Sequence, residues 1–387
     1  MINKNSTPIL IIPFAASALA LLISVKFLPY PLIWTAFALA VSFLYTAVRI
    51  KRSRARLVCF NIALLLIFLT IIESALWITY ELDFVKKTDN SIANGNYMIY
   101  SDILGDAPTK DISIASKSYF RDETIFDATY TIGPDGLRIT APIADPDKGC
   151  VLFFGGSFTF GHGVGDNETT PFVVGEITGR KVYNFAFDGY GPHQMLSAIR
   201  TGLVKETVDC KPTHAVYQVI KAHIQRVSGR GFWDTYGPRF VLEGNGLVRS
   251  AGNFRSKAAA KRRDWLFRSI ITFKAFNRFF YRSNKYRADE AALFFAIVEA
   301  SKKELTKLYP EIEFHAVQWD NRKHKLYAII TEGFKKREIE THYVSEILPN
   351  IEDYKQLYAI SADHNRHPNK EAHRIVGEYI ASNIVTK

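Results

Sequence analysis

The hydrophobic and polar positions divide the chain into three unlike stretches. In the first, residues 8–28, 31–48 and 57–78 are apolar runs carrying one charge, none and one charge (Glu73). Each is close to the ~20 residues needed to cross a hydrocarbon core, so three membrane-spanning helices are expected within residues 1–82. A cleaved signal peptide would be one short apolar run, which three successive runs do not resemble. Residues 83–149 are polar, with short strand-like runs; "TIGPDGLRIT" places a Pro-Asp-Gly turn between two of them, a hairpin signal in a small β-rich lead-in. From 150 to 387 the pattern alternates. "CVLFFGG" is a continuous apolar run, as a strand buried on both faces would be, and "KVYNFAFDGYG", "HAVYQVI" and "EFHAVQWD" are three more. Helical stretches, among them 192–206 and 288–308, lie between them. This alternation predicts a parallel sheet with helices on both faces, and an active site at the carboxyl ends of the strands. Ser157, Gly189, His223 and residues 319–321 all fall at or just past such ends.

Charge refines the membrane stretch. The loop between the second and third runs carries Arg49, Lys51, Arg52, Arg54 and Arg56, whereas the loop between the first two holds only Lys26. The positive-inside rule puts the five-cation loop in the cytoplasm and everything after about residue 80 outside. That predicts a multi-pass membrane protein with its large domain on the extracytoplasmic side. Tyr30, Trp34, Trp77 and Tyr80 fall where interfacial aromatics are expected. Glu73 is either a functional intramembrane acid or a residue near the outer interface.

The net charge of +11 is concentrated in one place. Residues 255–287 hold eleven Lys and Arg against Asp264 alone. Trp265, Leu266, Ile270, Phe273, Phe276 and Phe280 recur there at helical spacing. This basic helical insertion is either a solvated helix packed on the core or a helix touching anionic lipid headgroups. A charge so local does not make the protein a nucleic-acid binder. Of the three cysteines, no two form a C-x-x-C pair, which argues against a zinc ribbon.

The stretch "FFGGSFTFGHGVGD" (153–166) puts a serine where a buried strand ends. A phosphate loop has Lys and Ser/Thr after its last glycine; here Gly161 is followed by His162 and Gly163, so that reading fails. A nucleophilic serine needs a base within hydrogen-bond reach and a group to orient the base. Near the carboxyl end, "SADHNRHPNKEAHRIVGEYIA" supplies His367 before Pro-Asn, with Asp363 upstream. His364 and His373 compete; His373 falls inside a predicted helix and reads as structural. Ser157 could otherwise simply cap the next helix.

Three blocks together resemble the SGNH (GDSL-like) hydrolase superfamily, in its membrane-anchored bacterial branch: "FFGGSFTFGHGVGDNETTP" with Ser157 at the nucleophile, "VYNFAFDGYGPHQM" with Gly189 at the oxyanion glycine, and "DHNRHPN" with His367 at the base. The resemblance implies a flavodoxin-like three-layer α/β/α sandwich. It implies attack by Ser157 on an ester carbonyl, proton transfer through His367, orientation by Asp363, and an oxyanion hole from the amides of Ser157 and Gly189. The sequence departs from the family in two places. The third block, Gly-x-Asn-Asp, is absent; "YQVIKAHIQR" stands there, and His223 is the nearest donor. Three residues, not two, separate Asp363 from His367.

The reading reached is a membrane-anchored serine esterase or O-acyltransferase, with an acylated glycan or lipid of the cell envelope as substrate. Histidine activates the nucleophile, so no metal or cofactor is required. Two rivals are a non-catalytic module binding an acylated glycan and a structural subunit of an envelope-polymer machine. In the flavodoxin-like strand order, the starts of "CVLFFGG" and of the strand after Cys210 are neighbours, so Cys150 and Cys210 either pair or stay as two separate buried thiols.

Overall fold

The computed structural model describes residues 31–87, 89–93, 97–120, 122–142, 145–229, 234–244, 246–255, 287–320 and 325–386. The chain divides into two compact units, one carrying residues up to Lys87 and the other carrying Thr88–Lys257 and Tyr286–Lys387. Residues 256–286, nearly all of the basic stretch, and the apolar run 8–28 lie outside the described residues.

In the amino-terminal unit, helices Pro31–Arg49 and Ser53–Lys87 pack against each other. Among the described residues one helix, Ser53–Ala75, is long and apolar enough to cross a membrane. The preceding helix, Pro31–Arg49, has 19 residues. The run 8–28 lies outside the described residues, and of the three spanning helices expected, the one that meets the requirement among them is Ser53–Ala75. Glu73, within it, is buried.

The second unit is built on a five-stranded sheet. Its members are β6 (Cys150–Phe154), β7 (Lys181–Asn184), β8 (Pro212–Val219), β11 (Glu313–Gln318) and β12 (Glu340–Tyr343). They lie in the order β12-β11-β8-β6-β7, and every pair is parallel. Counted along the chain this is 2-1-3-4-5, the flavodoxin-like order. All five residues of β6 are buried, so this central strand needs apolar side chains on both faces. Leu152 and Phe154 enter one core with Leu196, Phe294 and Phe334; Val151 and Phe153 enter the other with Val174, Val376 and Ile380. Each such side chain contributes roughly 1.5–3 kcal/mol of burial. Helices Pro192–Arg200, Ala288–Leu308 and Lys325–Lys335 cover one face, and Thr170–Thr178 and Lys370–Ile380 the other. The three layers expected from the alternation are present.

The lead-in contains antiparallel strands β1 (Asp89–Ala93), β4 (Ile112–Phe120) and β5 (Glu123–Ile132), and the pair β2 (Met98–Ser101) and β3 (Gly105–Pro108). The Pro-Asp-Gly turn is there, but its far arm is a single bridge, Ile132 to Arg138, rather than a strand. This lead-in shares a core with the sheet-end loops: Phe126, Ala128 and Tyr130 pack with Phe160, Phe187 and Tyr190. A further pair, β9 (Pro238–Leu242) and β10 (Val248–Asn253), is antiparallel. Cys150 and Cys210 form a disulfide with Cα atoms 6.2 Å apart, at the starting edge of β6 and β8.

Candidate active site

Ser157 opens a single helical turn, Ser157–Phe160, directly after β6 and is 7% exposed. Gly156 before it has no room for a side chain: a Cβ there would lie 2.8 Å from Arg226 Nη1 and from the Tyr190 carbonyl, and 3.3 Å from His223 Nε2. The glycine block thus lets the turn press against two neighbouring loops.

His367 reaches Ser157 from the far end of the chain. Its Nε2 is 2.9 Å from Ser157 Oγ. Local chemistry explains its placement. Pro368 keeps His367 out of the helix that follows, and Asn369 caps that helix by accepting from the Ala372 amide. The His367 carbonyl accepts from the Ile360 amide, pinning the loop.

The imidazole is oriented by Asn365, not by Asp363. His367 Nδ1 is 2.8 Å from Asn365 Oδ1, and the same oxygen accepts from the His367 amide at 3.1 Å. That amide can only donate, so the atom facing it is the carboxamide oxygen, and Nδ1 must carry the ring proton. Nε2 is then a bare lone pair aimed at the serine hydroxyl, the tautomer a general base requires. Asp363 is exposed on the bend of the same loop. The three-residue spacing carries its carboxylate out to solvent and turns Asn365 inward. His364 stacks on Phe120 at 3.8 Å between ring centroids, and His373 is buried in the last helix against Thr170, a structural role as expected.

A second dyad stands beside this one. His162 Nδ1 is 2.9 Å from Asp188 Oδ2, which also accepts from Tyr97 OH at 2.9 Å. The His162 and His367 rings are 4.6 Å apart. Burial works against charge on His162, but Asp188 outweighs it and raises the imidazole above its usual value. Burial likewise opposes ionisation of Asp188, yet His162, His367 and the Tyr97 hydroxyl bring it down to about 2. His367 falls to about 4, through burial first and then the nearby His162, against the pull of Asp188. At neutral pH His367 is thus an uncharged base.

On the other side of Gly156, Gly189 sits in the turn Phe187–Tyr190 with φ +81°, a conformation that favours glycine. His223 follows β8 at the start of the turn His223–Arg226 and is 1% exposed. Its Nδ1 pairs with Tyr217 OH at 2.7 Å, and its buried Nε2 has no hydrogen-bond partner. Burial, then Arg226, hold its imidazole neutral, well below the usual range. The half-buried Arg226 guanidinium donates to the Tyr190 carbonyl, so a fixed cation lies beside Gly156. His193 is drawn away into a buried pair with Asp234, 2.6 Å apart.

The loop after Ser157 is clamped from behind by Arg138. Its side chain is fully buried and bonds Asp166 Oδ1 at 2.9 Å and the carbonyls of Phe160 (2.8 Å), Gly161 (2.7 Å), Val164 (2.7 Å) and Thr129 (3.1 Å). Arg138, Asp188, Asn365 and Arg226 were not singled out from the sequence. Asn365 lies inside the quoted "DHNRHPN" and Arg226 inside "YQVIKAHIQR", so position within a motif was the signal available for both.

No protein-family model and no curated protein matches the sequence. Among solved structures, the chain is similar to a member of the lipolytic G-D-S-L family from Veillonella parvula (10% identity, 62% of this chain and 99% of that one, TM-score 0.35). It is similar to a family two carbohydrate esterase from Clostridium thermocellum in complex with cellohexaose (12% identity, 64% and 66%, TM-score 0.36). It is also similar to an acetyl xylan esterase from Butyrivibrio proteoclasticus (11% identity, 75% and 81%, TM-score 0.34).

Proposed function

We propose that this chain is an SGNH-type serine hydrolase that cleaves or transfers acyl esters. The observation that carries the reading is the chain of contacts Ser157 Oγ to His367 Nε2 at 2.9 Å and His367 Nδ1 to Asn365 Oδ1 at 2.8 Å. His367 takes the serine proton as Oγ attacks the ester carbonyl, and returns it to the leaving alcohol. Asn365 holds the tautomer without adding a charge. The oxyanion is received by the amides of Ser157 and Gly189, with His223 Nε2–H in place of the missing asparagine. This tautomer needs the Tyr217 hydroxyl to donate to Nδ1. Arg226 adds positive potential on that side. One well-aimed donor is worth about 3–4 kcal/mol of barrier.

Anchoring and location belong to the same proposal. The helix Ser53–Ala75, with five cations from Arg49 to Arg56 at its start, fits an anchor whose following residues lie outside the cytoplasm. The substrate is then an acylated glycan or lipid of the envelope.

A fluorophosphonate probe applied to the full-length protein tests the site. It labels Ser157, and S157A abolishes labelling. S157A and H367A each remove most hydrolysis of p-nitrophenyl esters, and the double variant is little worse, because groups acting as one unit are non-additive. A properly folded wild-type protein that neither labels nor hydrolyses would favour the binding-module reading instead.

A further inference from the structure

A second polar cluster sits at the opposite edge of the sheet, where the strands begin. His214 of β8 and Glu313 of β11 are directly opposite each other in register, and His315 lies two residues on from Glu313 on the same face. One ligating atom from each lies within 4.8 Å of the others, and His315 Nε2 is 3.4 Å from Glu313 Oε2. They line a cavity of about 490 Å³ with Arg180, Glu340 and the segment 383–386.

The hydrogen bonds around these imidazoles let each ring present Nε2 as a lone pair. His214 Nδ1 is 2.8 Å from Thr213 Oγ1, which can accept from it while donating to the Cys150 carbonyl, and the Ile384 backbone also bonds the ring. With the proton on Nδ1, His214 Nε2 is bare. His315 Nδ1 is 3.2 Å from His342 Nε2, and His342 Nδ1 is 3.0 Å from Tyr379 OH. When that chain donates outward from His315, its Nε2 is also bare. This atom is buried, with the side chain 5% exposed, and has no hydrogen-bond partner although a carboxylate oxygen stands 3.4 Å away. A lone pair facing a carboxylate is repulsive unless a cation lies between them.

We propose that His214 Nε2, His315 Nε2 and the Glu313 carboxylate bind a divalent transition-metal ion of the zinc class, clipping β8 to β11. Two imidazoles and a carboxylate are a zinc-type donor set. Bond lengths of about 2.0–2.2 Å put tetrahedral ligand atoms roughly 3.3–3.6 Å apart, so the 3.4 Å spacing already fits and His214 closes by a shift on the order of 1 Å. Thr213 and His342 are the outer partners that hold the two rings. Arg180 opposes an added cation, but its guanidinium is engaged by Thr213 at 2.8 Å, and Glu313 and Glu340 supply two negative charges. The fourth position opens to the cavity and takes water. The site is structural and lies away from Ser157, which follows the other end of β6.

The test uses full-length protein in detergent, stripped with EDTA and titrated with Zn²⁺ by calorimetry, with thermal unfolding in parallel. One equivalent binds and raises Tm. E313Q, at an exposed position, and H214Q each weaken binding by about tenfold or more with an unchanged circular dichroism spectrum. Absence of saturable binding to the wild type would overturn the proposal. So would an affinity within twofold of wild type in either variant, which would place the ion elsewhere.

Discussion

Replacing His162 with glutamine should move the acid limb of the pH–rate profile upward. His367 must be neutral to accept the serine proton, so turnover is present above its pKa and is lost as pH falls through it. With His367 at about 4, wild-type kcat/KM stays level well below neutrality before falling. In that range His162 is protonated, since Asp188 raises it against burial. Protonating His367 therefore creates a second positive charge with ring centroids 4.6 Å apart. At an effective dielectric of about 20, unit charges at that distance repel by roughly 3.6 kcal/mol, a ceiling of about 2.6 pH units. The His162 side chain is 24% exposed, so water screens part of this, and a shift of about one to two units is expected. Losing His162 also frees Asp188 to act on His367, which moves the limb in the same direction. The assay is kcat/KM for a p-nitrophenyl ester from pH 3.5 to 8 for wild type and H162Q. If H162Q keeps its turnover at pH 8 but its limb stays in place or moves down, His162 does not set the base's protonation.

Three more variants probe features that sequence reasoning left open. N365A should lose about 10²-fold or more in kcat with little change in KM, because the ring is no longer held in its tautomer; N365D should keep turnover and shift the acid limb upward, since a carboxylate favours the imidazolium. C150A/C210A should lose roughly 4 kcal/mol of unfolding free energy in the chain-entropy picture for a 60-residue separation, measured by urea denaturation against oxidised wild type; a loss below about 1 kcal/mol would refute that picture here.

What the sequence disclosed follows the range of the forces involved. β6, β8 and β11 were legible because nearly all their positions are buried on both faces and most of them are apolar. β12 was not: "ETHY" is short and polar, its outermost place in the sheet leaves it half-covered, and no periodicity marks it. Ser157 and His367 were legible because glycines and the His-Pro-Asn turn act within a few residues. Asn365 was obscured by Asp363, a better ligand on paper, since which side chain turns inward depends on loop geometry that composition does not encode. Arg138 acts on residues up to 28 positions away, so no local pattern announces it; Asp188 stands beside Gly189 in the second block, but its partners His162 and Tyr97 are 26 and 91 positions away, so its pairing is not announced there. The second apolar run reads as a helix because it is unbroken by charge, and the helix found there, Pro31–Arg49, matches the run 31–48 closely.

The Arg138 clamp gives the site a direction in time. Of the four carbonyls that it holds, three lie after it in the chain, on the loop behind the nucleophile. As synthesis proceeds from the amino end, β5 and the Arg138 guanidinium that follows it exist before that loop does, so Ser157 emerges onto a surface already waiting for it. The same order makes the carboxyl-terminal part dependent: a piece starting at Cys150 would carry Ser157, Asn365 and His367, yet leave Asp166 and those carbonyls with nothing to hold them. The smallest unit able to assemble the site therefore begins well upstream of its sheet.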